Sequence, residues 1–157
     1  MLRLKLGGLA ACVVLSLTLG GCAARGPRPG IPVVGVEQFK IYTPTGDSRE
    51  RKVADDAAEK FVIALRDEGA DAYLIPHGGQ PTGDVRVTGL ITELDFRGRR
   101  RFGVIITARD AKGRELAEES ASRSSYNMRK AVRAVVTVDL LASPELRHAL
   151  LTMPALP

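Results

Sequence analysis

VRVTGLITELDF occupies residues 85–96 and is followed directly by RGRRRFGVIITARD at residues 97–110. Two apolar runs rich in β-branched residues, joined by a short basic turn, predict a long antiparallel hairpin. In the first run the apolar residues keep odd positions up to Val87 and even positions from Leu90, so the alternation slips at Gly89. Because side chains along a strand have a period of two, this slip predicts a β-bulge at Gly89.

The elements before the hairpin are a strand, a helix and a second strand. VVGVEQFKIY (33–42) is rich in β-branched and aromatic residues and predicts the first strand. Apolar residues at helical spacing over 48–68 predict an amphipathic helix, with Asp47 and Glu50 forming a capping box. DAYLIP (71–76) predicts a short strand.

After the hairpin come an edge strand and a broken helix. RELAEESASRSS (114–125) is polar and predicts a strand at a sheet edge. NMRKAVRAVVTVDLLASPELRHALL (127–151) predicts a helix that stops near Ser143 and restarts with proline at its first position. The whole order predicts a single α+β domain with one antiparallel or mixed sheet of about five strands and two helices packed on one face.

The first residues have the anatomy of an export signal. An uncharged run from Leu6 to Ala24 follows the basic residues Arg3 and Lys5, which is typical of a secretory signal peptide. An uncleaved transmembrane anchor is the alternative, because about 20 apolar residues can span a bilayer. Four glycines in the run weaken that alternative.

Both cysteines of the chain lie in the segment LAACVVLSLTLGGC at residues 9–22. Its end, LGGC, resembles a bacterial lipobox, which implies acylation of the Cys22 thiol and cleavage just before it. LAAC, ending at Cys12, fits the pattern as well by letters, but only Leu6–Ala11 would remain as the apolar core, below the 7 to 15 residues that a signal needs. We therefore predict lipidation of Cys22.

This prediction divides the chain into three parts: a lipoprotein signal peptide at 1–21, the lipidated Cys22 with a flexible linker at 22–32, and a periplasmic α+β domain at 33–157. The linker is rich in proline and glycine and would extend to roughly 30 Å at about 3.1 Å per residue. Several acyl chains anchor a protein stably. Ala23 after the cysteine resembles the class sorted to the outer membrane, so the predicted location is its periplasmic face.

Composition argues against nucleic acid, a metal site and catalysis. Without residues 1–21 the chain keeps 21 Lys and Arg against 18 Asp and Glu, a surplus too small to indicate nucleic acid. The two histidines, His77 and His148, lie far apart, and no motif has metal-ligand spacing. We expect no enzyme activity and no cofactor other than the acyl chains on Cys22.

The most concentrated charge lies in the turn of the hairpin, at Arg97, Arg99, Arg100 and Arg101. Guanidinium groups form paired hydrogen bonds with phosphate and carboxylate, so this turn is a candidate contact for an anion or a protein partner. The alternative is a solvated turn that hinders edge aggregation. A second basic group on the last helix, at Arg129, Lys130 and Arg133, either extends this surface or only solvates the helix.

The order of elements, the long hairpin and the closing stretch VVTVDLLASPELRHALL (135–151) resemble the YajG-like family of small envelope lipoproteins. They are more distantly similar to lipoprotein domains related to the curli secretion component CsgG and to peptidoglycan synthase activators. The resemblance covers about residues 32–152 and implies a noncatalytic envelope protein. Our first hypothesis is an outer-membrane-anchored interaction or accessory module that binds another envelope protein. The alternative function is binding of anionic lipid or lipopolysaccharide, accessory to lipid transport.

Overall fold

The computed structural model describes residues 30–152. The predicted signal peptide, Cys22 and most of the linker lie outside the described residues, so the predictions about them remain predictions. Among the helices of residues 30–152, none combines the length and the apolar character needed to cross a bilayer.

One mixed sheet of six strands forms the centre of the structure. The strands are β1 (Val33–Val36), β2 (Lys40–Ile41), β3 (Asp71–Leu74), β4 (Val85–Asp95), β5 (Arg100–Asp110) and β6 (Glu115–Ser125). Their spatial order is β3, β1, β4, β5, β6, and β2 pairs with β4 further along that strand. β1 is parallel to both β3 and β4, whereas β5 is antiparallel to β4 and β6. The predicted hairpin and the predicted mixed sheet are thereby confirmed.

Helices α1 (Ser48–Asp67), α2 (Met128–Ala134) and α3 (Pro144–Leu151) complete the fold. A π-helical turn and a 3-10 turn carry the chain from α2 to the break at Ser143. There the Ser143 hydroxyl accepts a hydrogen bond from the N–H of Leu146 at 3.4 Å, and Pro144 fills the first helical position. The predicted interruption of the last helix and its serine cap are therefore confirmed.

The core lies between the helices and one face of the sheet. Alternate residues of β4 and β5 turn to this face, and the apolar stripe of α1 covers them. The largest fully buried side chains include Phe61, Leu65, Ile91, Phe102, Ile106, Leu146 and Leu150. Burying one such side chain stabilises a fold by about 1.5–3 kcal/mol before the loss of entropy is counted. The hydrophobic spacing of the sequence thus produces the two-layer packing.

The predicted strand at 33–42 is interrupted, which the sequence reading did not foresee. Three residues lie between Val36 and Lys40, whereas only two lie between their partners Val87 and Leu90 on β4. The extra residue lets the chain bend out of the ladder, and Phe39 turns inward, where only 5% of it is exposed. β1 and β2 are therefore two pieces of one bulged strand beside β4.

The bulge predicted at Gly89 is wrong in position. The register of β4 against β5 is regular through Gly89 and shifts between Ile91 and Glu93. Gly89 lies on the core-facing side, where a Cβ would stand 2.4 Å from the ring of Phe39. Leu90 is on the opposite, partly exposed face. The glycine is required for the close approach of Phe39. The alternation does slip, but only after Ile91, and it was placed too early because Leu90 was counted as a core residue.

β6 lies at the edge of the sheet, as its polar sequence predicts. Its residues Glu119 and Arg123 stand opposite the core residues Ile106 and Phe102, so both face the helix layer. Arg123 donates two hydrogen bonds of 2.7 Å to the carboxylate of Asp139. Charged side chains that point inward from an edge strand hinder pairing with other chains.

The start of α1 differs in one detail from the predicted capping box. Asp47 caps the helix by accepting a hydrogen bond from the N–H of Arg49 at 2.9 Å, as predicted. The Glu50 carboxylate, only 6% exposed, does not return to Asp47. It accepts hydrogen bonds from the N–H and the hydroxyl of Thr45 and from the N–H of Gly46, at 2.7–3.2 Å. Glu50 therefore fixes the loop before the helix.

Candidate functional site

The sheet has two ends with different roles. At one end, called here the tether end, the chain joins β1, and the N–H of Val33 donates a hydrogen bond to Asp84 at 2.9 Å. Val34 pairs with Val85, the first residue of β4. The other end, called the hairpin end, is where β4 turns into β5. At about 3.3 Å per residue, β4 separates the two ends by roughly 33 Å.

The four predicted arginines lie at the hairpin end. Arg97 is 97% exposed, and its guanidinium is 3.7 Å from the carboxylate of Asp95. Arg99 is exposed in the turn, and β5 begins with Arg100 and Arg101. We call these residues, Arg97, Arg99, Arg100 and Arg101, the arginine turn. The structure thus brings them together at one tip, as the sequence predicts, with Arg100 half-buried and with Arg100 and Arg101 on opposite faces of β5.

The first turn of α1 supports the same end of the sheet. The guanidinium carbon of Arg49 lies 4.5 Å from the centre of the Phe96 ring, which is the geometry of a cation–π contact. Arg49 also pairs with Asp47. Hydrogen bonds from the side chain and backbone of Arg49 lower the pKa of the Asp47 carboxyl from 3.8 to about 2. The Asp47 carboxylate is therefore ionised and already paired with Arg49, so it does not balance the positive charge of the arginine turn.

Two tyrosines flank the arginine turn, and the sequence reading missed both. Tyr42 follows β2 and donates its backbone N–H to Ile91 of β4. Tyr126 follows β6 directly after Ser125, which pairs with Arg100. Their exposed fractions, 72% and 84%, are large for aromatic residues. A signal was available, since Tyr42 is the last residue of the first predicted strand and Tyr126 directly follows the last one.

The second basic group is divided by the structure. Arg129 and Lys130 lie exposed in the first turn of α2, which starts immediately after Tyr126. Arg133 is one turn further along and lines a shallow groove against α1 instead. We use the name hairpin-end surface for the arginine turn together with Tyr42, Tyr126, Arg129 and Lys130.

Most carboxylates near this surface already have partners. Asp95 is next to Arg97, Asp47 is bound by Arg49, and Asp139 is bound by Arg123, whose pKa the pair raises. Within the described part of the chain, no ion pair involves Arg99, Arg100, Arg101, Arg129 or Lys130, and exposed Glu93 has no cation partner. The hairpin-end surface therefore carries a clear positive excess.

A cleft of about 780 Å³ lies on the core side of the sheet, where β1 and β3 end. Phe39 and Ile75 contribute apolar surface, and His77 lies at its rim in the glycine-rich loop after β3. Two of its charged residues, Glu37 and Arg86, form an ion pair with each other. Three more charged residues line the cleft without an ion-pair partner among the described residues: Lys40, Arg51 and Asp55. No hydrogen bond among the described residues joins His77 to an acid or a base.

His148 is exposed on α3, far along the chain from His77. Among residues 30–152, no group of three or more His, Cys, Asp or Glu side chains is arranged to hold a metal ion. The two pairs of adjacent carboxylates do not form acid–base couples. Glu118 and Glu119 point to opposite faces of β6. On α1, Asp56 is paired with Lys60 and not with Asp55. The expectations about metal, cofactor and catalysis stay predictions.

The fold is similar to that of PelC from Paraburkholderia phytofirmans. A point variant of PelC, crystallised as a dodecamer, is 18% identical and aligns over 74% of this chain and 89% of its own, with a TM-score of 0.58. A second crystal form of the PelC dodecamer, also 18% identical, aligns over 72% and 85%, with a TM-score of 0.59. The α+β fold is therefore one that a known protein adopts.

Lipoprotein GNA1162 from Neisseria meningitidis is a more distant structural match, 14% identical over 59% of this chain and 80% of its own, with a TM-score of 0.45. No protein-family model matches the sequence. The comparison with curated proteins gives no match either. The resemblance to YajG-like lipoproteins stays a prediction, whereas the α+β fold that it implies is confirmed.

Proposed function

We propose that this chain is a lipoprotein of the outer membrane, held on the periplasmic face through Cys22, that binds another envelope protein without catalysing a reaction. One observation carries this proposal: the hairpin-end surface lies at the end of β4 opposite the end where the linker joins. A linker attached at the tether end leaves the positive surface directed away from the anchoring membrane. Such a surface is placed to meet a partner in the periplasm.

Distances support this arrangement. The linker at 22–32 reaches roughly 30 Å when extended. The sheet adds roughly 33 Å between the tether end and the hairpin end. An upright domain therefore presents its basic surface well beyond the Debye length of about 8 Å at physiological salt, so the charge of the anchoring membrane is screened from it.

The orientation can be measured by energy transfer to the membrane. The acylated protein, with Cys12 removed by processing and Cys22 blocked by lipid, is reconstituted in vesicles that contain an acceptor-labelled lipid. Single cysteines are introduced by Arg97→Cys at the hairpin end and Lys112→Cys in the β5–β6 turn at the tether end. Each substitution removes one positive charge, so the two variants are matched.

We expect clearly stronger transfer from a donor at position 112 than from one at position 97. Equal transfer would mean that the domain lies flat, and stronger transfer from position 97 would mean that the hairpin end faces the lipid; either result contradicts the proposed orientation. A chain that begins at Ala23, and so lacks the signal peptide and both native cysteines, should show no transfer from either position, because it lacks the anchor.

The alternative function, binding of anionic lipid or lipopolysaccharide, draws support from the same arginines, since guanidinium groups bind phosphate well. It requires the hairpin end to fold back toward the membrane along the full length of the sheet. The energy-transfer experiment separates the two functions directly, because the lipid-binding function predicts stronger transfer from position 97.

Assembly with further copies of the chain is a second candidate. PelC, with a similar fold, crystallised as a dodecamer. Here the eleven-residue edge of β6 pairs on one side only, but its inward charges hinder strand pairing, so a contact between copies at this edge would be made by side chains. By contrast, the opposite edge strand β3 is partly closed by Arg66, which binds the carbonyl of Ala72 at 2.6 Å. Light scattering of the detergent-solubilised protein measures its mass, and a monomer at all concentrations would exclude this candidate.

A further inference from the structure

The hairpin-end surface combines two kinds of side chain that rarely stay exposed together without a partner. Its cations outnumber the free carboxylates near it, and Tyr42 and Tyr126 stand on either side of the arginine turn with 72% and 84% of their surface exposed. Strands β2 and β6 are separated by β4 and β5, so about three strand spacings of 4.7–4.9 Å, roughly 14 Å, lie between the tyrosines across the sheet. Along the strands Tyr42 lies beside Ile91, four residues before Asp95, the partner of Arg101, so it borders the patch roughly 13 Å back from the arginine turn.

We infer that this patch is a docking surface for an acidic protein segment, with Tyr42 and Tyr126 as the anchoring residues and the arginine turn as the source of charge complementarity. The inference rests on the proposed function, because it specifies the class of the envelope partner. Tyrosine and arginine are the residues most enriched at the energetic centres of protein interfaces.

The chemistry favours carboxylates as the complementary groups. Arg99, Arg100 and Arg101 have no ion-pair partner among the described residues, and planar guanidinium groups bind carboxylates through two parallel hydrogen bonds. The same geometry already occurs within this protein, where Arg123 binds both oxygens of Asp139 at 2.7 Å. Two aromatic rings at the margins supply apolar contact area that a purely ionic contact lacks.

A lipid surface is the less favoured occupant. Phosphate headgroups would satisfy the arginines equally well, but the hairpin end points away from the predicted anchor. Its width of about three strand spacings also matches an extended peptide or a single helix better than a membrane plane.

The test uses a fluorescein-labelled peptide of fifteen Glu and Asp residues interspersed with Leu, and the full chain purified in non-ionic detergent. Binding is followed by fluorescence anisotropy at physiological salt. Because the chain is in detergent, this experiment does not depend on the orientation of the anchored protein, and so its failure and the failure of the proposed function are distinguishable.

The triple variant Arg99→Ser, Arg100→Ser, Arg101→Ser should bind the peptide at least about tenfold more weakly, a change typical of interface centres. Its matched control removes three exposed cations elsewhere, Lys112→Ser, Arg133→Ser and Arg147→Ser. The control should change binding less than about threefold, which is the effect of net charge alone. Equal losses in the two variants would overturn the inference.

The tyrosines provide a test without a change of charge. Tyr42→Ser and Tyr126→Ser should each weaken peptide binding several-fold, with the circular dichroism spectrum unchanged. Unaltered binding in both would remove the anchoring role. Vesicles of phosphatidylglycerol serve as the competing probe: if they bind the parent chain while the acidic peptide does not, the surface is a lipid site and the inference is wrong.

Discussion

The ring of Phe39 occupies the space that a side chain at Gly89 would fill, since a Cβ on that glycine would stand 2.4 Å from the ring. Phe39 also packs against Phe61 of α1, with the ring centres 6.2 Å apart. The contact therefore joins the bulged strand, the central strand and the helix layer. It is the reason that β1 and β2 separate between Val36 and Lys40.

Gly89→Ala should consequently destabilise the protein by about 1–3 kcal/mol, the usual cost of an added methyl group in a filled core. Urea unfolding measures this loss. In a Phe39→Leu background the cost of the same substitution should be smaller, because the ring that the methyl group meets is gone. An identical cost in both backgrounds would contradict the role assigned to Phe39.

Glu50→Ala should destabilise the fold by about 2 kcal/mol, because hydrogen bonds to a charged group contribute about 1.5–3 kcal/mol. The loop donors at Thr45 and Gly46 lose their acceptor in this variant. Glu59→Ala is the matched control, since Glu59 is exposed on the same helix. It should change the free energy of unfolding by no more than about 0.5 kcal/mol. Equal effects would mean that the burial of Glu50 is unimportant.

The lowered pKa of Asp47 predicts that the free energy of unfolding depends on pH in the acid range. Its pKa is about 2 in the folded protein against an ordinary 3.8, so the folded state prefers the ionised form. The stabilisation is fully present above about pH 5, decreases as the pH falls through 3.8, and is lost below about pH 2, where both states are protonated. Asp47→Asn retains a good capping residue but not the charge.

The difference in the free energy of unfolding between the parent chain and Asp47→Asn should thus be largest at neutral pH and shrink between pH 4 and pH 2. Chemical denaturation at a series of pH values measures it. A difference that does not change with pH would show that the carboxylate charge and its pairing with Arg49 do not stabilise the helix start.

Lipidation of Cys22 is the fourth prediction. Mass spectrometry of the protein isolated from membranes should find an N-terminal Cys22 carrying acyl chains. Cys22→Ser should abolish acylation, whereas Cys12→Ser should leave it unchanged because Cys12 belongs to the removed segment. A retained Met1, or acylation at Cys12, would refute this reading of the leader.

Local signals were sufficient for much of the fold. The cap at Asp47, the restart at Ser143 and the β4–β5 hairpin depend on residues close in sequence, and each was predictable. The split of the first strand was not, because it depends on the tertiary contact of Phe39 with Gly89. The bulge in β4 was predicted too early, because Gly89 faces the core without a side chain that would mark the alternation. The order of strands around β4 likewise depends on packing that no local pattern encodes.

The candidate surface was predictable only in part. The arginine turn is contiguous in sequence, so its clustering required no structure. The other members of the surface, which are Tyr42, Tyr126 and the first turn of α2, lie 25 to 55 positions from the arginine turn in the chain. Only the register of β2, β5 and β6 places them at the same end of the sheet. A surface built from the ends of several strands cannot be predicted from sequence alone, because its residues are far apart in the chain.

The placement of the linker and the hairpin-end surface at opposite ends of the strands also has a mechanical consequence. If the lipid anchor holds one end and a bound partner holds the other, tension between them runs along the strand axis. β1 is hydrogen-bonded to β3 on one side and to β4 on the other, so the load falls on both ladders at once, as shear. The strand nearest the anchor is then difficult to pull out one bond at a time, and the domain can bear force between the membrane and its partner.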